Sequence, residues 1–462
     1  MKSLNQYTHA YFLGIGGIGM SAICRYFKEI GMVVGGYDKT QTPLTDELKK
    51  IGIEIVFQDS IKNFPKWVTQ NIENTLFVIT PAIPKEHPQK VWLESNNIIL
   101  FKRSEVLGVI TKDTTCLAVA GTHGKTTTST LLAHILKELD WEFSAFLGGI
   151  SSNFGSNYIK NKGTHRHTYQ PLVVVEADEF DRSFHRLYPD AAIITAVDAD
   201  HLDIYETKEA FTEAFHIFAN QIKPSSGSSL FIHEALKWPH KSSQNQYGYG
   251  NENDYQIIDL KIESGYYLFG LSHKGSIYNF KAGLPGYHNV LNACAAIALC
   301  HGYLGISLET LAKPILSFKG VKRRFEYLVN REDHVVIDDY AHHPEELNMI
   351  IDSVRDLYPS KTITGIFQPH LFSRTNDFAK EFADSLEKLD KLYLLEIYPA
   401  REKPIPGVNS NLLLELMTNK NGAVYSKVEI LNELTKEKPD VLLILGAGDV
   451  DTLRQPIIEI YE

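Results

Sequence analysis

The chain has 462 residues, too many for one ordinary core, and at roughly 150 residues per domain about three domains are expected. It is 44% hydrophobic and 22% charged, which lets most of the chain bury apolar surface and argues against long disorder. The formal charge of -10 comes with no long Lys/Arg block and no run of about 18 apolar residues, so nucleic acid and a membrane span are both set aside.

No apolar leader precedes Gly14, and a non-exported, cytoplasmic protein is expected. The four cysteines, Cys24, Cys116, Cys294 and Cys300, lie in apolar surroundings without CxxC spacing, which points to buried free thiols and not to disulfides or zinc. A short apolar strand at residues 10–14 runs into glycines, followed by a helix over 20–30 and a second strand over 33–37. Further apolar runs at 53–57, 76–80 and 98–101 extend this βαβ start to a small parallel sheet closing near residue 110. A second α/β unit begins with a buried strand at 116–120, a glycine turn and a helix over 126–139, and continues with strands at 172–176 and 192–197. The turn-rich stretch from the serines at 225–229 to about residue 283 reads as antiparallel strands, before a helix over 289–302. After Lys322-Arg323-Arg324 a third alternation places strands at 335–338, 362–367, 391–396 and 441–445. The expected fold class is therefore α/β in three domains: a Rossmann-like domain over 1–110, a P-loop ATPase-like domain over 111–322 and a Rossmann-like domain over 323–462.

Two glycine loops each follow a strand and open a helix, the arrangement that turns backbone N–H groups and a helix N-terminus toward a phosphate. Gly14-Ile15-Gly16-Gly17-Ile18-Gly19 matches GxGxxG, and Asp38 follows the second strand, which alone suggests a dinucleotide site and an NAD-dependent dehydrogenase. Gly121-Thr122-His123-Gly124-Lys125-Thr126-Thr127 is a shortened phosphate loop, with Val119 standing where the distal glycine is usual. Its glycines permit close backbone approach, Lys125 neutralises phosphate charge, and the Thr126 hydroxyl suits Mg²⁺. Acidic clusters end two later strands, Glu176-Ala177-Asp178-Glu179-Phe180-Asp181 and Asp198-Ala199-Asp200-His201-Leu202-Asp203. On neighbouring strand tips they form a candidate metal site; read by themselves they are solvated loop charges or helix caps.

The motifs AGTHGKTTTS, EADEFDRSF, DADHLDIY, PGYHNVLNA, VKRRFE, DDYAHHPEE, FQPHLFSRT and LGAGD, in this order, resemble the muramyl ligases of peptidoglycan synthesis over nearly the whole chain. The opening GIGGIGMS resembles the branch that joins L-alanine to UDP-N-acetylmuramate. The resemblance implies an N-terminal domain for the UDP-sugar, a central ATPase domain and a C-terminal domain for the amino acid. It assigns Gly16, Gly17 and Ile18 to the UDP diphosphate instead of a nicotinamide cofactor, with Asp38, Thr80 and Arg103 as further substrate contacts. It implies ATP and Mg²⁺, with Thr126, Glu176 and His201 as metal ligands and Lys125 following the γ-phosphoryl group. The implied reaction passes through an acyl phosphate and needs positioning and charge neutralisation, not a protein nucleophile.

By the same resemblance His288, Asn289 and Asn292 lie on the adenine side, and Arg324 reaches the ATP phosphates. Asp339, Tyr340, His342 and His343 suit amine recognition and proton handling, while His370 and Arg374 lie near the substrates. Glu345 and Glu346 are read as the start of a helix. Two positions depart from the family pattern. Leu371 stands where an arginine is usual, and His216 occupies the spacing at which other members carry a carbamylated lysine, so no carbamate is expected. A murein-tripeptide recycling ligase acting on the same UDP-sugar is the rival within the family.

Overall fold

The computed structural model describes every residue except 1–3, 168–169, 199–201, 224–228, 237, 239–243, 264, 401 and 420, and of 202 and 203 only the backbone. The described chain forms three sheets. The first has five parallel strands in the order Glu54–Val56, Val33–Tyr37, His9–Leu13, Thr75–Ile79, Leu100–Lys102. Strand order reverses at His9–Leu13, so a crevice opens beyond its C-terminal end, where the first glycine loop begins.

The second sheet has ten strands, and at its heart Thr115–Ala120 lies between Ala191–Ile194 and Leu172–Glu176, parallel to both. All six residues of Thr115–Ala120 are buried, the pattern of a parallel strand covered on both faces. Glu142–Phe146 pairs parallel with Leu172–Glu176 and antiparallel with Tyr158–Lys162. Gln244–Gly248, expected in an antiparallel stretch, instead runs parallel to Leu230–His233. The third sheet orders Glu326–Asn330, Val335–Asp339, Val441–Leu445, Ile363–Phe367, Lys391–Leu394 and Gly422–Val424, with its first pair antiparallel and the rest parallel.

The chain divides into two compact units. Met1–Ile258, Gly270–Phe280 and Leu291–Phe318 form one, which holds the first sheet and the heart of the second in a single apolar core. The helix Ile18–Glu29 turns Met20, Ile23, Cys24 and Phe27 into that core at helical spacing. Its other contacts reach the second sheet: Tyr26 packs 5.4 Å from Phe146, the Tyr158 hydroxyl donates to Glu29 at 2.8 Å, and Asn157 Nδ2 donates to Ile18 O at 2.5 Å and to Ser21 Oγ at 2.9 Å. Burying a side chain such as Phe27 contributes about 1.5–3 kcal/mol, so this helix is anchored on both sides.

The other unit comprises Asp259–Phe269, Lys281–Val290 and Lys319–Glu462, and carries the third sheet. Helix Pro344–Leu357 begins with Pro344 at its first position and Glu345 and Glu346 in its first turn, where a carboxylate is favoured by the helix dipole. Leu347, Ile350, Ile351 and Val354 from this helix enter the core of the unit.

Candidate active site

In the first unit the glycine loop after His9–Leu13 gathers its expected partners. Gly16 N–H donates to Asp38 Oδ2 at 2.7 Å, and Gly14 and Thr80 are in such close approach that a Cβ on Gly14 would meet Thr80 Cγ2 at 2.4 Å. Gly19 lies against Arg103 equally closely, with 2.4 Å from a Cβ to Nη1. Gly17 is the N-cap of the helix Ile18–Glu29, so the loop's N–H groups and the helix start share one edge.

The second loop leads from Thr115–Ala120 into the helix Lys125–Glu138. Gly124 has φ 78°, and a Cβ there would sit 2.4 Å from Asn292 Oδ1, whose other neighbour is the Thr128 hydroxyl at 3.2 Å. Only glycine adopts that backbone without strain and leaves the room. Thr122 and His123 face Asp198, the former accepting its N–H at 3.1 Å and the latter 3.8 Å from its carboxylate. Thr195 Oγ1 donates to His123 O. Thr127 is buried along the helix.

Lys125 Nζ spends its three donors on Gly121 O at 2.5 Å, Thr122 O at 3.2 Å and Glu179 Oε1 at 2.8 Å. Burial pulls the lysine down, but the carboxylates of Glu179 and Glu176 override it and hold its pKa above the ordinary value. Burial raises Glu176, against the opposing effects of Lys125 and a hydrogen bond from the Thr126 side chain. A hydroxyl and a carboxylate in contact make a hard oxygen pair that suits Mg²⁺. His201, the third expected ligand, lies outside the described residues.

A cavity of about 100 Å³ opens beside the first loop and reaches Glu176, the carboxylate that faces Thr126 of the second. Gly19 and Arg103 line it from the first sheet, and Phe146, Gly148, Glu176 and Asp178 from the second. Gly148 N–H donates to Glu176 Oε2 at 3.1 Å, and Arg103 Nη2 to Asp178 Oδ2 at 3.1 Å. Asp178 and Glu179 belong to the acidic cluster that the sequence offers as a candidate metal site, but the structure gives its carboxylates separate partners, with Asp181 bound to Lys102 at 2.8 Å; Gly148 carries no sequence signal.

In the second unit the site residues collect at the C-terminal ends of the parallel strands. Asp339 ends Val335–Asp339, and its two oxygens accept from the N–H groups of Phe325 at 2.7 Å and Ala341 at 2.8 Å. Burial raises its carboxyl to about 6 despite neighbouring Arg324. Arg324 donates to Glu346 Oε1 at 3.2 Å and lies 5.3 Å from the Tyr340 ring centre. Glu346 also accepts from His342 N–H at 3.0 Å, so a residue read as a simple helix starter bridges two site residues. Burial pushes His342 and His288 down to about 4, with the Arg324 charge adding to the effect on both.

His343 is the N-cap of the helix Pro344–Leu357, accepting from Glu345 N–H at 3.4 Å, and packs 4.8 Å from Phe378. The rings of His342 and His370 lie 6.0 Å apart, and the Arg374 charge acts on both. Asn289 Nδ2 donates to Pro285 O at 2.6 Å, close to the helix start. Leu371 takes φ 71°, caps the helix Phe372–Asp377 and presents no polar group there. The His216 ring lies tilted against Trp238, with the ring centres 4.3 Å apart.

Comparison with known proteins finds matches over nearly the whole chain. Three family models match in succession: "Mur ligase family, catalytic domain" over residues 9–115, "Mur ligase middle domain" over 119–300, and "Mur ligase, glutamate ligase domain" over 323–448. The UDP-N-acetylmuramate–L-alanine ligase of Christiangramia forsetii is 47% identical over 451 residues, 97% of each chain. That of Porphyromonas gingivalis is 48% identical over 453 residues, again 97% of each. Among solved structures, the UDP-N-acetylmuramate-alanine ligase of Thermotoga maritima superposes with a TM-score of 0.81 at 28% identity, covering 98% of this chain and 99% of that one. A murein peptide ligase of Psychrobacter arcticus shares the fold, with a TM-score of 0.67 at 21% identity and 98% of each chain covered. With family models spanning most of its length and relatives above 40% identity throughout, the chain belongs to the Mur ligase family.

Proposed function

We propose that this chain joins L-alanine to the lactyl carboxylate of UDP-N-acetylmuramate, converting ATP to ADP and phosphate, as a cytoplasmic step of peptidoglycan precursor synthesis. The observation that carries this reading is the cavity shared by Arg103 and Gly19 with Glu176 and Asp178, because it lets a substrate held at the first loop meet a nucleotide held at the second. The identity to ligases named for this substrate pair supports the choice of sugar and amino acid. No described helix is long and apolar enough to cross a membrane. The division into domains at 1–110, 111–322 and 323–462 is part of the same proposal.

In this reading Gly16, Gly17 and Ile18 hold the UDP diphosphate, with Asp38, Thr80 and Arg103 around the sugar. Gly121 to Thr127 hold the ATP phosphates, His288, Asn289 and Asn292 face adenine, and Arg324 reaches the phosphates. Thr126 and Glu176, with His201 as the further ligand expected from the sequence, would hold Mg²⁺, which would supply neutralisation of phosphate charge; the sugar's carboxylate attacks the γ-phosphorus. ADP departs, and the resulting acyl phosphate is attacked by the amine of alanine, breaking the C–O bond to phosphate and forming the amide. Asp339, Tyr340, His342, His343, His370 and Arg374 bind the amino acid and handle its proton. Burial holds His342 down to about 4, so the ring stays neutral and offers the amine a hydrogen-bond acceptor, not a site for a full proton.

Phosphate release with UDP-N-acetylmuramate, ATP and each of the twenty amino acids tests the reading. Release specific to L-alanine supports it. Ligation of the murein tripeptide without L-alanine replaces it with the recycling reaction, and saturable NADH binding without ATP dependence overturns it.

A further inference from the structure

The mechanism above uses Lys125 but leaves Glu179 without a part, although the two form the most enclosed ion pair of the phosphate loop. Their side chains are 13% and 3% exposed, and the N–O distance is 2.8 Å. All three ammonium protons are taken up by Glu179, Gly121 O and Thr122 O, so none is left for a phosphate oxygen in this arrangement. The second oxygen, Glu179 Oε2, is buried and has no hydrogen-bond partner among the described residues.

Glu179 is also held from behind. Its carbonyl accepts the Tyr205 hydroxyl at 2.6 Å, and Tyr205 is itself buried with the Arg182 guanidinium 5.0 Å from its ring. Just beyond Phe180, Asp181 and Arg182 take φ 52° and 53°, left-handed values that a non-glycine residue adopts only where its surroundings impose them. Asp178 on the other side is tied to Arg103. With its main chain pinned at both ends, Glu179 does not follow the lysine.

We propose that Glu179 is a positioning residue that stands in for the triphosphate: it holds Lys125 inside the loop while the site lacks nucleotide, and gives the lysine up when phosphate arrives. This rests on the ATP-dependent reading above. The physical consequence is a competition. A buried carboxylate left by its partner carries an uncompensated charge, so every nucleotide that recruits Lys125 binds against the cost of breaking the pair. Replacing the carboxylate with a neutral amide of the same shape removes that opposition. The ammonium is then under-satisfied in the empty site and gains more from a phosphate.

The test is calorimetric titration of the full chain with Mg²⁺ and a non-hydrolysable ATP analogue, without the UDP-sugar. Glu179→Gln is expected to bind the analogue roughly tenfold more tightly than the native chain, a charge-assisted hydrogen bond being the quantity released. Glu179→Asp, which keeps the charge but lengthens the contact, is expected to fall between the two. In thermal unfolding, Glu179→Gln without nucleotide melts lower than the native chain and gains more on adding the analogue. Damage to the loop alone predicts the opposite sign, weaker binding. Equal or weaker binding by Glu179→Gln therefore overturns the proposal, as does an aspartate variant outside the expected order. If Glu179→Gln does not fold, the comparison of Glu179→Asp with the native chain decides by the same sign. Failure of the native chain to bind the analogue overturns the ATP reading instead, and it is seen before any variant is measured.

Discussion

Arg103 Nη2 meets Asp178 Oδ2 at 3.1 Å, tying the first residue of the helix Arg103–Lys112 to the acidic segment that follows Leu172–Glu176. The two side chains are 28% and 37% exposed, so water screens the pair and its contribution to stability is small. Arg103→Ala is expected to leave the melting temperature nearly unchanged while raising KM for UDP-N-acetylmuramate by about 10–100-fold, the range of one lost charged hydrogen bond. Initial rates at varied sugar and fixed ATP check this; an unchanged KM removes Arg103 from the sugar site.

Glu176 faces the Thr126 hydroxyl and the Gly148 N–H beside the loop that holds Lys125. Glu176→Ala should lower kcat on the order of 100-fold or more, as loss of a preorganised electrostatic partner does, with little change in UDP-sugar affinity. Single-turnover phosphate release and equilibrium sugar binding separate the two quantities. Native turnover in this variant refutes the role.

Gly124 combines φ 78° with a Cβ position 2.4 Å from Asn292 Oδ1. Gly124→Ala meets both obstacles, strain of about 1–3 kcal/mol in the main chain and displacement of the asparagine. Lower stability and loss of ATP-analogue binding are expected together, measured by urea unfolding and calorimetry. A variant that binds the analogue normally shows that the loop tolerates another conformation.

His288 and His342 have folded pKa values of about 4, below the ordinary 6.5, because burial disfavours their charged forms. The stability they contribute is present above pH 6.5 and is lost as pH falls from there through 4. Asp338 and Asp339 act in the opposite sense. Burial raises them to about 7 and about 6 from an ordinary 3.8, so their contribution is full below 3.8 and is lost as pH rises through 6 and 7. The sets offset one another between, and removing one member exposes the other. His342→Gln should lose less stability than the native chain between pH 6.5 and 5, read from urea midpoints; equal slopes show that His342 titrates normally.

Much of the fold is legible because parallel strands buried on both faces read as short apolar runs: Leu172–Glu176 and Val441–Leu445 stand where the sequence places them. The strand pair Glu142–Phe146 and Tyr158–Lys162 is not, since SerAla within the first and alternating lysines in the second hide an edge hairpin as polar loop. The sequence proposes site residues where a motif suggests a chemistry, as at Lys125 and Glu176, and the structure brings those two within one charged cluster. The pairings of Glu179 and Glu346 are not legible, because their partners Lys125 and Arg324 lie 54 and 22 positions away and a single sequence carries no signal for such contacts.

The four thiols give the protein an internal clock of its own opening. Cys24, Cys116, Cys294 and Cys300 are all fully buried, and burial lifts every one of them far out of the reactive range. An alkylating reagent therefore marks a cysteine only when the structure around it comes apart. Cys24 dates the loosening of the helix Ile18–Glu29, and the other three date the sheet around Thr115–Ala120 and the helix Tyr287–Gly302 packed near it. No cysteine follows Cys300, so residues 319–462 come apart unseen by such a reagent, and the opening of the cysteine-bearing unit is timed separately from that of the unit carrying the third sheet.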